Sequence, residues 1–231
     1  MRHDAIDPPS PPAQPVWLDP MEKIRQKGCM NAQPMIIRPA TPTHEEGLIF
    51  ARFADMAAEG QFRVLFGRRV REILGAAFLK PSHDLSHEFA VFAEIDGAIA
   101  GMASGYTEEQ HRQSSTRPLK QATGGIALRM RCMFILAAPI LRFLHTYEEG
   151  DFYIQFLAVD EEHRGKGIGS ALIQEMENRA RASQSTHLVI DVAARNAGAR
   201  RLYEHLKFSV AAQWPKPSWV RPNALRMSKP L

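Results

Sequence analysis

The spacing of hydrophobic and polar residues predicts a mixed α/β fold. In the N-terminal half it predicts one strand, two helices and two further strands. These segments are residues 35–41, 45–60, 62–79, 88–95 and 98–106. The last two strands flank Asp96-Gly97, a dipeptide that favours the tight turn of a β-hairpin.

The pattern is sharper in the C-terminal half, where strands and helices alternate. A continuous apolar strand is predicted first, then a helix, a second strand, a helix that starts at Asn196, and two closing strands. The strands are residues 152–159, 186–194, 208–214 and 224–228, and the first helix is 169–183. A hairpin followed by this alternation is typical of an α/β domain.

Two segments differ from this pattern. Residues 1–34 contain seven of the sixteen prolines and no apolar core of signal-peptide length, which predicts an extended, disordered tail before a domain at 35–231.

Within that domain, 107–150 is predicted to be an insertion, with a polar loop at 107–125 and an apolar helix at 126–144. Three arginines and a proline interrupt this helix, which favours an amphipathic helix packed on the domain over a membrane span. A role in the core is favoured over the wall of an acceptor pocket or a dimer contact.

Charge and cysteine content narrow the function. The formal net charge is +4, and no basic stretch is interleaved with aromatic residues, which argues against nucleic acid. The only two cysteines, Cys29 and Cys132, are far apart in sequence, so neither a disulfide framework nor a metal cluster is predicted. A reducing cytoplasm is the expected location.

A glycine-rich turn is the strongest chemical signal. Residues 163–172 (HRGKGIGSAL) place Gly165, Gly167 and Gly169 where the 152–159 strand becomes a helix, a combination that favours phosphate binding. The Walker phosphate loop is excluded because the lysine precedes the last glycines. A dinucleotide fingerprint requires glycine where Ser170 stands, and Asp191, at the expected distance, lies within a strand instead of at its end.

A longer stretch resembles one family. FLAVDEEHRGKGIGSALI and IDVAARNAGARRLYEHLKF together are similar to the GCN5-related N-acetyltransferase family, whose R/Q-x-x-G-x-G/A signature matches Arg164 to Gly169. The second stretch resembles the family pattern N-x-x-A-x-x-L-Y-x-x-x-G-F, with Lys207 in place of the usual glycine. The close match covers 151–214.

The resemblance implies a mostly antiparallel mixed sheet flanked by helices, with two central strands that splay apart to admit acetyl-CoA. The turn would bind the pyrophosphate of coenzyme A, and the edge of the 152–159 strand would pair with the pantetheine arm. The implied cofactor-binding residues are Leu157, Ala158, Val159, Arg164, Gly165, Lys166, Gly167, Ile168, Gly169, Ser170, Asn196 and Tyr203. No metal is implied.

Acetyl transfer from a thioester to an amine needs an acid, a base and an oxyanion donor. Tyr203 is the candidate acid, two helical turns after Asn196 and on the same helix face; the alternative is a core tyrosine. Asp191 is the candidate base, directly or through water, and the alternative is a strand aspartate held by its neighbours. The rival bases are Glu94, Glu148 and Glu149. The oxyanion donor is expected to be a backbone N–H near Val159.

The resemblance therefore implies an acetyl-CoA-dependent N-acetyltransferase that acts on a primary amine of a small molecule, a protein or a peptide. The alternative is a non-catalytic acyl-CoA-binding regulatory module on the same fold. A homodimer is compatible with either, and neither a membrane nor a nucleic acid is an expected partner.

Overall fold

The computed structural model describes residues 35–115, 117–123, 148–215 and 221–231. The predicted tail at 1–34 and the predicted apolar helix at 126–144 lie outside these residues. The strands are β1 (Met35–Pro39), β2 (Ala90–Ile95), β3 (Ala98–Thr107), β4 (Asp151–Val159), β5 (His187–Ala193), β6 (Ser209–Trp214) and β7 (Ala224–Pro230). The helices are α1 (His44–Ala57), α2 (Gln61–Phe66), α3 (Val70–Phe78), α4 (Glu108–Gln113), α5 (Arg117–Thr123), α6 (Ile168–Ala182) and α7 (Ala197–His205).

The seven strands form one sheet in the order β1-β2-β3-β4-β5-β7-β6. Every neighbouring pair is antiparallel except β4 and β5. These two parallel strands pair only from Asp151 with His187 to Ile154 with Ile190, while β4 continues to Val159 alongside β3. The central strands therefore splay apart beyond Ile154, which confirms the predicted fold class.

A β-bulge marks the start of the splay. Ser104 of β3 pairs with Phe156, and Gly105 pairs with Ile154, so Gln155 is an extra residue in β4. A bulge bends its strand and increases the local twist. The bulge lies where β4 leaves β5.

Two predicted boundaries were wrong. The single helix expected over 62–79 is divided, because Gly67 (φ 64°) ends α2 and a short 3₁₀ turn precedes α3. The polar segment after 106 is not a plain loop: β3 extends to Thr107, and α4 and α5 follow. Thr107 and Gln110 form a reciprocal capping box that starts α4.

The two sheet faces carry separate cores. Alternating side chains such as Ile154 and Ile190 point to one face, where they pack with residues of α6 and α7, including Leu172 and Tyr203. We call this the α6 face. Phe156 points to the opposite face, which is covered by α1 and α3, and we call it the α1 face. A ligand in the splay therefore meets α6 and α7 on one side and α1 on the other.

Among the described residues, no helix has the length and apolar character needed to cross a membrane.

Candidate active site

The glycine-rich turn joins the end of β4 to α6. After a 3₁₀ turn over Glu161–His163, Gly165 and Gly167 take φ values of 78° and 83°, which favour glycine. Gly167 is the N-cap of α6, and no side chain in the described part of the chain caps the helix. A Cβ atom at either glycine would meet no heavy atom of the described residues within 4 Å, so both positions border open space.

Several backbone donors at the N-terminus of α6 have no partner among the described residues. Ala171 N–H donates to Gly167 O, the first bond of the helix. Within the described part of the chain, no hydrogen bond is donated by the backbone N–H groups of residues 165–170. A 15-residue helix adds a positive dipole end at this point, so the turn favours an anion.

The charged side chains of the turn are exposed. Arg164 contacts Val159 O through Nε at 3.3 Å and Glu161 at 3.7 Å, and Lys166 Nζ lies 3.3 Å from His163 Nδ1. None of these contacts fixes the side chains firmly, because they are long and open to solvent. Both cations can therefore turn toward a bound phosphate.

The remaining turn residues also have packing roles. Ile168 is buried in the core of the α6 face, and Ser170 is partly buried. A Cβ atom on Gly169 meets Leu202 Cδ2 at 3.0 Å, which is too close for an ordinary contact. The absence of a side chain at Gly169 therefore lets α6 approach α7.

An ion pair that the sequence did not indicate holds the start of the turn. Arg52 of α1 binds both carboxylate oxygens of Asp160, at 2.5 and 3.0 Å. Asp160 directly follows β4, and its carbonyl oxygen accepts the N–H of His163. The turn is thereby tied to α1.

Leu157, Ala158 and Val159 form the free side of the splay. They pair with β3, opposite Ala103, Met102 and Gly101, and not with β5. Their other strand edge thus faces the gap, where an extended ligand can add to the sheet through main-chain hydrogen bonds.

Asn196 and Tyr203 lie at the two ends of α7. Asn196 Oδ1 accepts the N–H of Ala199 at 3.1 Å, which confirms the predicted N-cap. Tyr203 is 4% exposed and lies in the core of the α6 face, with its ring 5.8 Å from that of Phe208. Burial raises the pKa of the Tyr203 phenol well above its usual value, so it stays protonated at neutral pH.

Asp191 is the first residue of β5 beyond the last pair with β4. Its carboxylate accepts hydrogen bonds from Arg226 Nε (2.9 Å), Arg226 Nη2 (2.7 Å) and the Tyr153 hydroxyl (3.1 Å). The Asp191 and Arg226 side chains are only 6% and 11% exposed. A proton that Asp191 takes therefore competes with hydrogen bonds that the carboxylate already accepts.

The rival bases lie elsewhere. Glu94 is on β2, two strands from β4, and pairs with Arg38 at 2.8 Å. Glu148 and Glu149 precede β4, at the end where β4 and β5 are still paired. Asp191 is thus the candidate carboxylate that borders the splay.

Tyr153 and Arg226 contact the carboxylate of the candidate base Asp191, and sequence reasoning indicated neither of them. Tyr153 is a polar aromatic residue within a mostly apolar strand, which is a weak signal. Arg226 meets Asp191 only through the pairing of β5 with β7, which no local pattern reveals.

A cleft of about 550 Å³ lies on α1 and α2, on the α1 face, with Arg52 and Glu59 in its wall. Its arginines are matched by acids: Arg52 pairs with Asp160 and Arg63 with Asp55. Glu59 pairs with Arg195, just before the α7 N-cap. The cleft therefore carries little net charge with which to select an acceptor.

Among the described residues, no group of three or more potential metal ligands is present.

Comparisons with known proteins agree with this geometry. The sequence model of the "Acetyltransferase (GNAT) family" matches residues 62–208, more than half of the chain. No curated protein matches the chain significantly. A solved acetyltransferase is 24% identical with a TM-score of 0.59, and the alignment covers 84% of this chain and 98% of that one.

Two further solved structures share the fold. An N-acetyltransferase from Staphylococcus aureus Mu50 is 14% identical, with a TM-score of 0.56 over 84% of this chain and 100% of that one. Ard1 from Thermoplasma volcanium is 17% identical, with a TM-score of 0.51 over 85% and 97%. The open turn at the splayed sheet and the family match lead to one conclusion: the chain belongs to the GNAT acetyltransferase family.

Proposed function

We propose that this protein transfers the acetyl group of acetyl-CoA to a primary amine of a small molecule, a protein or a peptide. One observation carries the proposal: the uncapped N-terminus of α6 opens beside the unpaired edge of β4. A phosphate site and an unpaired strand edge in this arrangement suit a ligand with a pyrophosphate and an amide-containing arm, as coenzyme A has.

Acetyl-CoA, the acyl donor, is proposed to bind on the α6 side of the splay. The N–H groups of residues 165–170 bind the pyrophosphate, and Arg164 and Lys166 add positive charge. The edge of Leu157, Ala158 and Val159 pairs with the pantetheine arm, and a backbone N–H near Val159 stabilises the oxyanion. Asn196 has an amide group at the entrance to α7 that suits the amides of the same arm.

Tyr203 is proposed as the acid that protonates the departing thiolate. Its raised pKa keeps it protonated, and its burial on the α6 face suits a group that acts in an enclosed site. Desolvation raises the pKa of a thiol as well as that of a phenol. The two pKa values therefore stay close to each other when water is excluded.

Asp191 is proposed as the base. Its side chain alternates with Leu188, Ile190 and Val192, which point to the α6 face, so it points to the α1 face. Acceptor and donor would then approach the splay from opposite sides. A cytoplasmic location and a homodimer stay predictions.

The transferase and the non-catalytic alternative differ in one measurement. The protein is mixed with acetyl-CoA and, in turn, with n-butylamine, spermidine and a peptide that has a free N-terminus and one lysine. The transferase releases free thiol in an amine-dependent manner and yields an acetylated amine by mass spectrometry. Tight binding of coenzyme A with no thiol release above background would favour the regulatory module.

The Asp191→Asn variant tests the base. Since Asn cannot take the amine proton, we expect activity to fall most near neutral pH and to recover partly in alkali, where more free amine is present. The variant also removes the carboxylate that accepts two hydrogen bonds from the nearly buried Arg226, so a loss of thermal stability is expected in any case. The shape of the pH–rate profile is therefore the deciding measurement.

Glu177→Gln is the matched control for this loss of stability. Glu177 has a 10% exposed side chain and pairs with Arg181 of α6 and Lys229 of β7, outside the site. It should lower thermal stability and keep the wild-type pH profile. If Asp191→Asn also parallels the wild-type profile, its role is structural.

A further inference from the structure

We propose that two ion pairs hold the splay open at the width of one extended chain. Arg52 pairs with Asp160 at the end of β4, and Glu59 pairs with Arg195 beyond the end of β5. We call residues 52–59 with these two pairs the strut. Its four charged residues are positioning residues, because they act through the strands that they hold. The inference rests on the proposed binding of acetyl-CoA in the splay, since its width matters only to a ligand that enters there.

The strut reaches the two strands at nearly the same height. The last pair between β4 and β5 is Ile154 with Ile190. Asp160 is six positions beyond Ile154, and Arg195 is five positions beyond Ile190. Because the strands are parallel, both residues lie at the same edge of the sheet, about 15–20 Å past the last pair. The two ion pairs therefore act far from the point where the strands separate.

The length of the strut matches the space that one added chain needs. Arg52 is in α1, and Glu59 lies two residues past its end, seven positions after Arg52. Seven positions are two helical turns, or about 10 Å along a helix axis. Neighbouring strands of a sheet are about 4.8 Å apart, so two strands with one extended chain between them are about 10 Å apart. The strut therefore has the length that keeps the β5 side one chain's width from the free edge of β4.

Aromatic contacts fix the β4 side of the strut. Phe156 is on the splayed part of β4, and its ring lies 6.0 Å from that of Phe50 on α1 and 5.8 Å from that of Phe62 on α2. The first ion pair of the strut adds two hydrogen bonds at the end of the same strand. The splayed part of β4 is therefore attached to α1, and the second ion pair links α1 to the β5 side.

The conformation of Glu59 indicates that its side chain has a role. Glu59 has φ 51°, and Gly60 after it has φ 81°. This left-handed region favours glycine, and a glutamate there is strained. The side chain of Arg195 is 80% exposed, and a pair so exposed adds little to the stability of the fold. A strained residue in a weak pair is therefore better explained by a role in the splay than by a role in folding.

Glu59→Gln tests the strut through the sign of its effect. Coenzyme A is an anion, so the removal of a carboxylate by itself would strengthen its binding. Loss of the strut weakens binding instead, because the ligand must then hold the splay open itself. An exposed ion pair can shift an equilibrium by about 2- to 5-fold, and we expect calorimetry to show a loss of coenzyme A affinity of that size. Asp160→Asn also removes a negative charge, and it should weaken binding at least as much, since it breaks a bidentate pair.

Two comparisons make the test specific to the strut. Glu72→Gln breaks the exposed pair between Arg69 and Glu72, which joins no two strands, and it should leave the affinity for coenzyme A unchanged. The double variant Glu59→Arg with Arg195→Glu restores an ion pair of opposite polarity, and its affinity should return to within about 2-fold of the wild type. If Arg195 acted by touching a phosphate, this double variant would bind coenzyme A more weakly than Glu59→Gln.

The outcomes separate the strut from the proposed activity. Unchanged or higher affinity for coenzyme A in Glu59→Gln would overturn the strut, and so would a double variant that does not recover. Neither result bears on the transferase, because amine-dependent thiol release is measured on the wild-type protein. A wild-type protein that binds coenzyme A and acetylates no amine would refute the transferase alone. A wild-type protein that binds no coenzyme A would overturn both.

Discussion

Replacing Tyr203 by phenylalanine is expected to lower the rate of acetyl transfer by roughly 10²–10⁴-fold and to leave acetyl-CoA affinity nearly unchanged. The substitution removes one oxygen atom and keeps the ring. Because only the proton-donating hydroxyl is lost, we expect kcat to fall and the binding of acetyl-CoA to stay nearly unchanged.

Tyr203 is proposed to act as an acid only after the bound acetyl-CoA has excluded water from its hydroxyl. Burial raises the pKa of the phenol, which prevents its ionisation over the working pH range. In water, such a phenol would protonate a thiolate poorly. When the pantetheine arm excludes water, the thiolate is also destabilised, and a hydrogen bond from the phenol becomes worth more.

The same variant also tests the packing role. Tyr203 contacts Phe208 and lies in the core of the α6 face, and phenylalanine preserves these contacts. We expect the thermal midpoint to change little. A Tyr203→Phe enzyme that turns over at the wild-type rate would leave the tyrosine with packing alone, and the acid would have to be sought among groups beside the splay.

Local sequence patterns predicted those parts of the fold that depend on local interactions. The hairpin at Asp96-Gly97 is confirmed, with φ values of 51° and 77° that suit this dipeptide. The helix that starts at Asn196 is confirmed by its side-chain cap. The splay itself came from the family resemblance, and the pairing of β4 with β5 confirms it.

The errors arose where non-local contacts or single residues decide. Gly67 interrupts a hydrophobic pattern that continues through α2 and α3, and periodicity does not reveal such a break. Arg52 and Asp160 are 108 positions apart, and Arg226 meets Asp191 only because β7 enters the sheet between β5 and β6. These pairs depend on strand order and register, which a single sequence specifies only through the complete fold.

The Gly167→Asp variant should abolish high-affinity binding of coenzyme A, with a loss of about 10²-fold or more. Gly167 is the N-cap of α6, and a side chain there enters the open space that the pyrophosphate is proposed to occupy. A carboxylate about 5 Å from two phosphate charges costs about 3 kcal/mol at an effective dielectric constant of about 40. That energy corresponds to about 10²-fold in affinity.

Gly167→Asn is the matched control for everything except charge. Both side chains have nearly the same shape, and both must adopt the φ of 83° that strains residues other than glycine, although Asn and Asp tolerate it better than most. Circular dichroism should show both variants folded. Calorimetry should show that Asn weakens coenzyme A binding by less than about 10-fold.

The difference in coenzyme A affinity between the Asp and Asn variants should also shrink as the salt concentration rises, since the added repulsion is partly screened. If the two variants bind coenzyme A equally well, no phosphate lies against the N-terminus of α6, and the donor must bind elsewhere.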